Sequence, residues 1–372
     1  MRHFLAVATI ASCVVSASLA KEISLGVVLP MSGSLAAYGQ ISYEGVEFAH
    51  SLNPTLKNGD TIKLVLVDSK GDKIESATAT TRLITSEKVV GIIGEITSSN
   101  TAQVLSIADK KQIPIIATVA TNDKLNDNRK YGNRVCYTDS FQGTIVAHYA
   151  AKELKYKTAV SIVDQAQVYS IGLAKAFHDA FVAQGGNVIK ELKVSSGDKD
   201  FKAVVSQIKS LNPDFVFMPL YHGEGSLITR QAKQIGLNKP FLSGESVANP
   251  TFIELGGESV EGHMYVDYFD SSVPPTENSK AFLAAYEKKT GKKGINSFST
   301  LGADAYNLFV DAMNRCANPE DSVCINQEIK KTAKFEGVSG LISMDAKGNA
   351  TRSAVIKEIR GGKAIYKSTV NP

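Results

Sequence analysis

Five consecutive positions, Thr97, Ser98, Ser99, Asn100 and Thr101, carry hydroxyl or amide groups just after an apolar stretch. Between a buried strand and a helix, such a run combines hydroxyls with backbone N–H groups that lack partners inside the helix, and the helix dipole adds attraction for an anion. A carboxylate suits that place; a plain helix cap at Ser98 or Ser99 is the alternative. Far along the chain, Glu245 sits in Ser243-Gly244-Glu245-Ser246, where an acid facing a cleft receives an ammonium group. Tyr38, Tyr169 and Tyr221 each follow an apolar stretch, the first two in equivalent places. Rings that meet across a cleft close over a small ligand, whereas an isolated Tyr more often packs in a core with its hydroxyl satisfied.

Signatures of covalent, redox or phosphoryl chemistry are missing from the sequence. There is no GxGxxG after a strand, no Walker loop, no HExxH and no GxSxG elbow, and the match at Gly337 to Gly340 lacks the spacing. The six His are scattered and no CxxC occurs, so no catalytic residue, cofactor site or metal site is assigned.

The elements that must position these groups follow one pattern, used twice. Apolar stretches at Lys21 to Pro30, Ile62 to Val67, Val89 to Ile93 and Ile113 to Ala117 read as strands. Helical periodicity lies between them at about Gly39 to Ser51, Ser76 to Thr85 and Thr101 to Lys111. The pattern restarts with strands at Thr158 to Val163, Val188 to Val194, Asp214 to Pro219 and Phe241 to Ser243, and helices at Ile171 to Gln184, Phe201 to Ser210 and Leu227 to Gly236. Alternation of this kind predicts two doubly wound α/β lobes with parallel sheets. Ligands of such sheets bind beyond the C-terminal ends of the strands, where the hydroxyl run, Glu245 and the tyrosines fall.

Composition fits this reading. The chain has 372 residues, and 41 basic against 37 acidic side chains leave no electrostatic footprint for nucleic acid. Residues 1–20 carry Arg2, an apolar stretch without acids and a small-residue ending at Ala20, the layout of a secretory signal peptide cut after Ala20. A membrane anchor and a lipoprotein signal processed at Cys13 are the other readings. After Lys21 no apolar stretch approaches the roughly 20 residues that span a bilayer. Export into an oxidising compartment makes a local disulfide between Cys316 and Cys324 the expectation, against two buried thiols, with Cys136 a small buried hydrophobe.

From about Glu22 to Lys367 the chain resembles the bacterial periplasmic branched-chain amino-acid-binding proteins, the extracytoplasmic receptors of ABC importers. The resemblance rests on Pro30-Met31-Ser32-Gly33 through Tyr38-Gly39, on Gly94 to Ser99 with Ala120-Thr121, on Val168 to Ala174, and on Gly337 to Gly340 with Asp345 and Gly348. It implies the type I periplasmic binding protein fold, an α/β protein of two lobes joined by three crossings with the ligand cleft between them. Residues 21–139 plus 270–350 would form the N-terminal lobe, and 140–269 plus 351–372 the C-terminal lobe. It further implies that Ser98, Thr121 and backbone at Val119 or Ala120 hold an amino acid's carboxylate. Glu245 would meet its ammonium, Tyr38, Tyr169 and Tyr221 would close the site, and Ile96 and Thr97 would border its side chain. The familiar Tyr-Gly pair of the second lobe is Tyr169-Ser170 here, and either Asn296 or Phe298 reaches the ligand near the third crossing. By the same resemblance the function is capture of leucine, isoleucine or valine by lobe closure and delivery to an inner-membrane permease, by a monomeric periplasmic protein without enzymatic activity. A different small amino acid or amide is the alternative ligand, and an exported enzyme on the same fold is the alternative class.

Overall fold

A computed structural model describes residues 20–372; the leader up to residue 19, including Cys13, lies outside the described residues. The apolar run after Glu22 forms β1 (Glu22–Leu29), whose last five residues are all buried, as a strand covered on both faces requires. It is followed by α1 (Ala36–Leu52), β2 (Thr61–Asp68), α2 (Lys73–Thr85), β3 (Ile92–Gly94), α3 (Ser98–Ala108), β4 (Ile115–Ala117) and β5 (Gly132–Arg134). These strands make a five-stranded parallel sheet in the order β2-β1-β3-β4-β5.

The chain then crosses to a second sheet. Here α4 (Asp139–His148), β6 (Thr158–Asp164), α5 (Val168–Ala183), β7 (Asn187–Val194), α6 (Lys202–Leu211), β8 (Phe215–Phe217), α7 (His222–Gln234), β9 (Phe241–Ser243), α8 (Pro250–Gly256) and β10 (Met264–Asp267) repeat the winding. A second crossing leads to α9 (Glu277–Thr290), α10 (Ser297–Arg315), α11 (Ser322–Lys330) and the short strands β11 (Phe335–Glu336), β12 (Leu341–Met344) and β13 (Ala350–Thr351). A third returns to β14 (Ala354–Arg360) and β15 (Lys363–Val370). The second sheet has the order β15-β14-β10-β9-β8-β6-β7, parallel except at β14 and β15. The architecture is that of two doubly wound lobes with three crossings.

Helix α10 rejoins the first lobe by packing on α1. A Cβ on Gly45 would stand 1.7 Å from the Ser299 carbonyl oxygen, and one on Gly302 would stand 2.1 Å from that of Ser42. The two helices approach this closely because both positions lack a side chain. In the second lobe the core is aromatic, with the rings of Phe177 and Phe217 stacked at 4.0 Å between centroids. Among the described residues, no helix is long and apolar enough to cross a membrane.

Several boundaries differ from the sequence reading. Helix α3 begins at Ser98 rather than Thr101, because Thr97 takes the extended backbone of a cap residue; the hydroxyl run is the helix's first turn. Helix α7 begins at His222 rather than Leu227: its first turn, His222-Gly223-Glu224-Gly225, has no apolar period, and tertiary packing buries His222 and Gly225. Strand β4 begins at Ile115, after Pro114, which has no N–H for the ladder. Elements α8 to α11 and β10 to β15 were not assigned by pattern at all.

Cys316 ends α10, Cys324 lies in α11, and the two form a disulfide with Cα atoms 6.0 Å apart. Cys136 is a buried free thiol whose Sγ donates to the Ala120 carbonyl at 3.3 Å. Alkylation of the unfolded, unreduced protein should therefore label one of these three cysteines, and reduction should expose the other two; three labels before reduction would exclude the bridge.

Candidate functional site

The strand order of each sheet reverses beside its first strand, and that switch point is where a doubly wound sheet leaves a crevice. In the first lobe the loops there follow β1, β3 and β4; in the second they follow β6, β8 and β9. They face each other across a cavity lined by Tyr38, Ile96, Thr97, Ser98, Val119, Tyr169, Tyr221, Glu245, Ser246 and Phe298. Eight of the ten residues singled out from sequence thus meet in one place. Ala120 and Thr121 are buried and do not line the cavity; the Ala120 carbonyl is already taken by Cys136 and by Arg134.

On the first-lobe wall, Glu95 was not foreseen. It is fully buried, and its Oε2 accepts from the backbone N–H groups of Ile96 at 2.9 Å and Thr97 at 3.1 Å, while Ser69 Oγ donates to Oε1 at 2.5 Å. The carboxylate shapes the turn that presents Ile96 and Thr97. Burial pushes its pKa up and these hydrogen bonds pull it back. Ser98 Oγ accepts from the Asn122 N–H at 3.2 Å, joining the start of α3 to the loop after β4. The sequence signal for Glu95 was weak, since an acid beside a hydroxyl run reads as an exposed loop residue.

On the second-lobe wall, Glu245 follows β9 and is 2% exposed. Its backbone N–H donates to Gln142 Oε1 at 2.8 Å, and Tyr169 OH approaches its Oε2 at 3.4 Å. Burial, and after it the Asp139 carboxylate, push the Glu245 pKa up to about 8. Burial likewise pushes Asp139 up to about 8. Neither Lys nor Arg lines the cavity, so Glu245 faces it as an acid in want of a cation.

The tyrosines form the rim and floor. Tyr169 and Tyr221 stack at 5.4 Å with planes 9° apart, and Tyr38 meets Tyr221 edge-on at 5.8 Å. Tyr38, in the first turn of α1, donates to the Ser246 carbonyl at 2.6 Å and accepts from the His222 N–H at 2.9 Å, a bridge between lobes. Phe298 packs 5.8 Å from Tyr38 and lines the cavity. Asn296 instead caps α10 through the Phe298 N–H at 2.8 Å and crosses the cleft to the Ala248 carbonyl at 2.9 Å. Ser246, a lining residue that the sequence reading did not name, follows Glu245 in the chain.

The walls together offer an acid opposite a helix N-terminus with hydroxyls, and apolar and aromatic side chains between. The sequence matches the family model of periplasmic binding proteins over residues 22–363. The chain belongs to that family. A Leu/Ile/Val-binding protein of Citrobacter freundii is 30% identical over 338 residues, 89% of each chain. Among solved structures, the leucine binding protein LivK of Thermotoga maritima superposes with a TM-score of 0.91 at 36% identity, covering 94% of this chain and 99% of that one. The branched-chain amino acid transporter substrate binding protein LivJ of Streptococcus pneumoniae, in complex with isoleucine, gives 0.87 at 31% identity, with 94% and 99% covered. In this periplasmic binding protein the cavity lies between the two lobes.

Proposed function

We propose that this chain is an extracytoplasmic receptor that captures leucine, isoleucine or valine by lobe closure and hands it to an inner-membrane ABC permease. The observation that carries the reading is Glu245, an acid without a cationic neighbour in the cavity wall, set across from the first turn of α3. An α-amino acid supplies an ammonium for the first and a carboxylate for the second. Ser98, Thr121 and the backbone at Val119 or Ala120 are assigned to the carboxylate, and Tyr38, Tyr169, Tyr221, Ile96, Thr97 and Phe298 to enclosure of the rest. Relatives named for leucine, isoleucine and valine support the choice of ligand. Residues 21–139 plus 270–350 are taken as one lobe and 140–269 plus 351–372 as the other, with 1–20 removed on export to the periplasm. The receptor acts as a monomer and catalyses no reaction. A thermal-shift screen of the mature protein against the twenty amino acids tests this directly, since a ligand that binds the native state raises the melting temperature by mass action; the largest shifts should come from the branched aliphatic three.

Closure has its own readout. Besides Tyr38 and Asn296, Ser99 Oγ donates across the cleft to Gln167 Oε1 at 3.0 Å, and Asn122 Nδ2 to the Val168 carbonyl at 2.9 Å. A ligand held by both walls favours this bridged arrangement. Small-angle scattering should show a smaller radius of gyration at saturating leucine, and an unchanged radius would count against closure.

A further inference from the structure

The cavity wall assigned to the ligand's carboxylate contains no cation, yet a buried guanidinium stands immediately behind it. Arg134 ends β5 where the chain leaves the first lobe, and it is 1% exposed. Its Nη1 donates to the carbonyl oxygens of Ala120 at 3.1 Å and Asn122 at 2.9 Å, the two residues that flank Thr121. Its Nε donates to Asn349 Oδ1 at 2.8 Å, beside β13. Those three partners are uncharged oxygens, and Nη2 finds no partner among the described residues.

A guanidinium buried on neutral oxygens keeps its charge, and its field in a low-dielectric interior reaches further than in water. Both carbonyls point their negative ends at it. Because a trans peptide sets N–H opposite C=O, the Thr121 N–H is turned away from Arg134, and the charge polarises that peptide along its length. The peptide between them is held from elsewhere: the Thr121 carbonyl accepts from the Asp139 N–H at 2.8 Å and the Asn122 N–H donates to Ser98 Oγ at 3.2 Å, so Arg134 grips the loop by the peptides on either side of that one.

We propose that Arg134 is the positioning residue for the ligand's carboxylate: it holds the Ala120–Thr121 and Asn122–Asp123 peptides by their carbonyls and supplies, one layer behind the wall, the positive charge that the wall itself lacks. The proposal rests on the reading of the ligand as an α-amino acid whose carboxylate lies at this loop. It accounts for a carboxylate site without a Lys or Arg in contact, and it places the compensating charge on the first crossing between lobes.

The test is isothermal titration of the mature protein with leucine and with leucinamide, which keeps the ammonium and the side chain and loses the carboxylate's charge. In the wild type leucine should bind much more tightly. In Arg134→Met the ratio of the two dissociation constants should fall by about tenfold or more. Arg134→Lys, which keeps the charge but lacks the planar guanidinium whose Nε also holds Asn349, should lie between, about threefold or more below wild type. A purely structural role would lower the melting temperature and weaken both ligands alike, so an unchanged ratio in Arg134→Met overturns the proposal. If that variant does not fold, Arg134→Lys decides by the same ratio. A wild type that binds leucinamide as well as leucine would instead overturn the placement of the carboxylate, and the role of Arg134 with it; a wild type that discriminates beside variants that discriminate equally removes Arg134 alone.

Discussion

Glu245→Ala should weaken leucine binding by roughly 30-fold to several thousand-fold, the consequence of about 2 to 5 kcal/mol lost when one partner of a buried charge pair is truncated. The size follows from the site: Glu245 is buried, and the acid nearest in influence, Asp139, repels rather than relieves its charge. The ligand's ammonium would be left facing tyrosine rings and hydroxyls. Isothermal titration reads the loss, and near wild-type affinity for every amino acid would remove Glu245 from the site. Glu245→Gln separates binding from folding. Near neutrality the protonated carboxyl and the amide are both uncharged in this wall, so this variant should melt no lower than the wild type while binding leucine as poorly as Glu245→Ala. The pH dependence has a definite sign. With its pKa pushed up to about 8, Glu245 holds a proton near neutrality, and pairing with an ammonium requires releasing it. The bound form therefore has the lower pKa, and leucine affinity should fall as pH drops below about 8. Glu245→Gln should show no such slope.

Leucine should bind roughly 60-fold more tightly than alanine, with aspartate and glutamate weakest. All four share the charged backbone groups, so the wall around the side chain decides. That wall holds Ile96, Val119 and Phe298 with the tyrosine rings, and no Lys or Arg. Leucine carries three more carbons than alanine, and at about 0.8 kcal/mol for each buried methylene the difference is about 2.4 kcal/mol. An acidic side chain would be buried without a cation, in a wall that already holds Glu245. The hydroxyls of Thr97 and Tyr221 could favour a polar side chain instead; Tyr221 OH has no partner among the described residues. Titration with leucine, alanine, glutamine and glutamate orders these cases. Alanine or glutamate ahead by tenfold would mean that the apolar wall does not contact the side chain.

Much of the candidate site was legible because its residues lie where apolar stretches end. Glu245 follows β9, and Ser98 opens α3 after β3. Tyr169 and Tyr221 stand at the starts of α5 and α7. In a parallel sheet every strand's C-terminal end points to the same edge, so a local reading of strand ends selects residues that are distant in sequence and adjacent in space. Phe298 was harder to assign, since it and Asn296 are two positions apart at the same helix start and only the packing of α10 on α1 turns Phe298 to the cavity and Asn296 across the cleft.

The sequence by itself determined the class of fold, the pairing of two repeated lobes and the edge of each sheet that carries the candidate site, and it made a local bridge between Cys316 and Cys324 the expectation, which the structure then showed. These depend on periodicity, on residue type and on short separations, all of which are local. Tertiary structure decided the rest. Glu95 accepts from Ser69, and Arg134 donates to Ala120 and Asn122, partners in other segments, and a charged side chain in a list of residues does not disclose that it is buried or what it faces. The raised pKa of Glu245 likewise arises from burial and from Asp139, more than a hundred positions away in the chain. Electrostatics and close packing depend on distance in space, and for residues on different crossings that distance is set only when both lobes have folded.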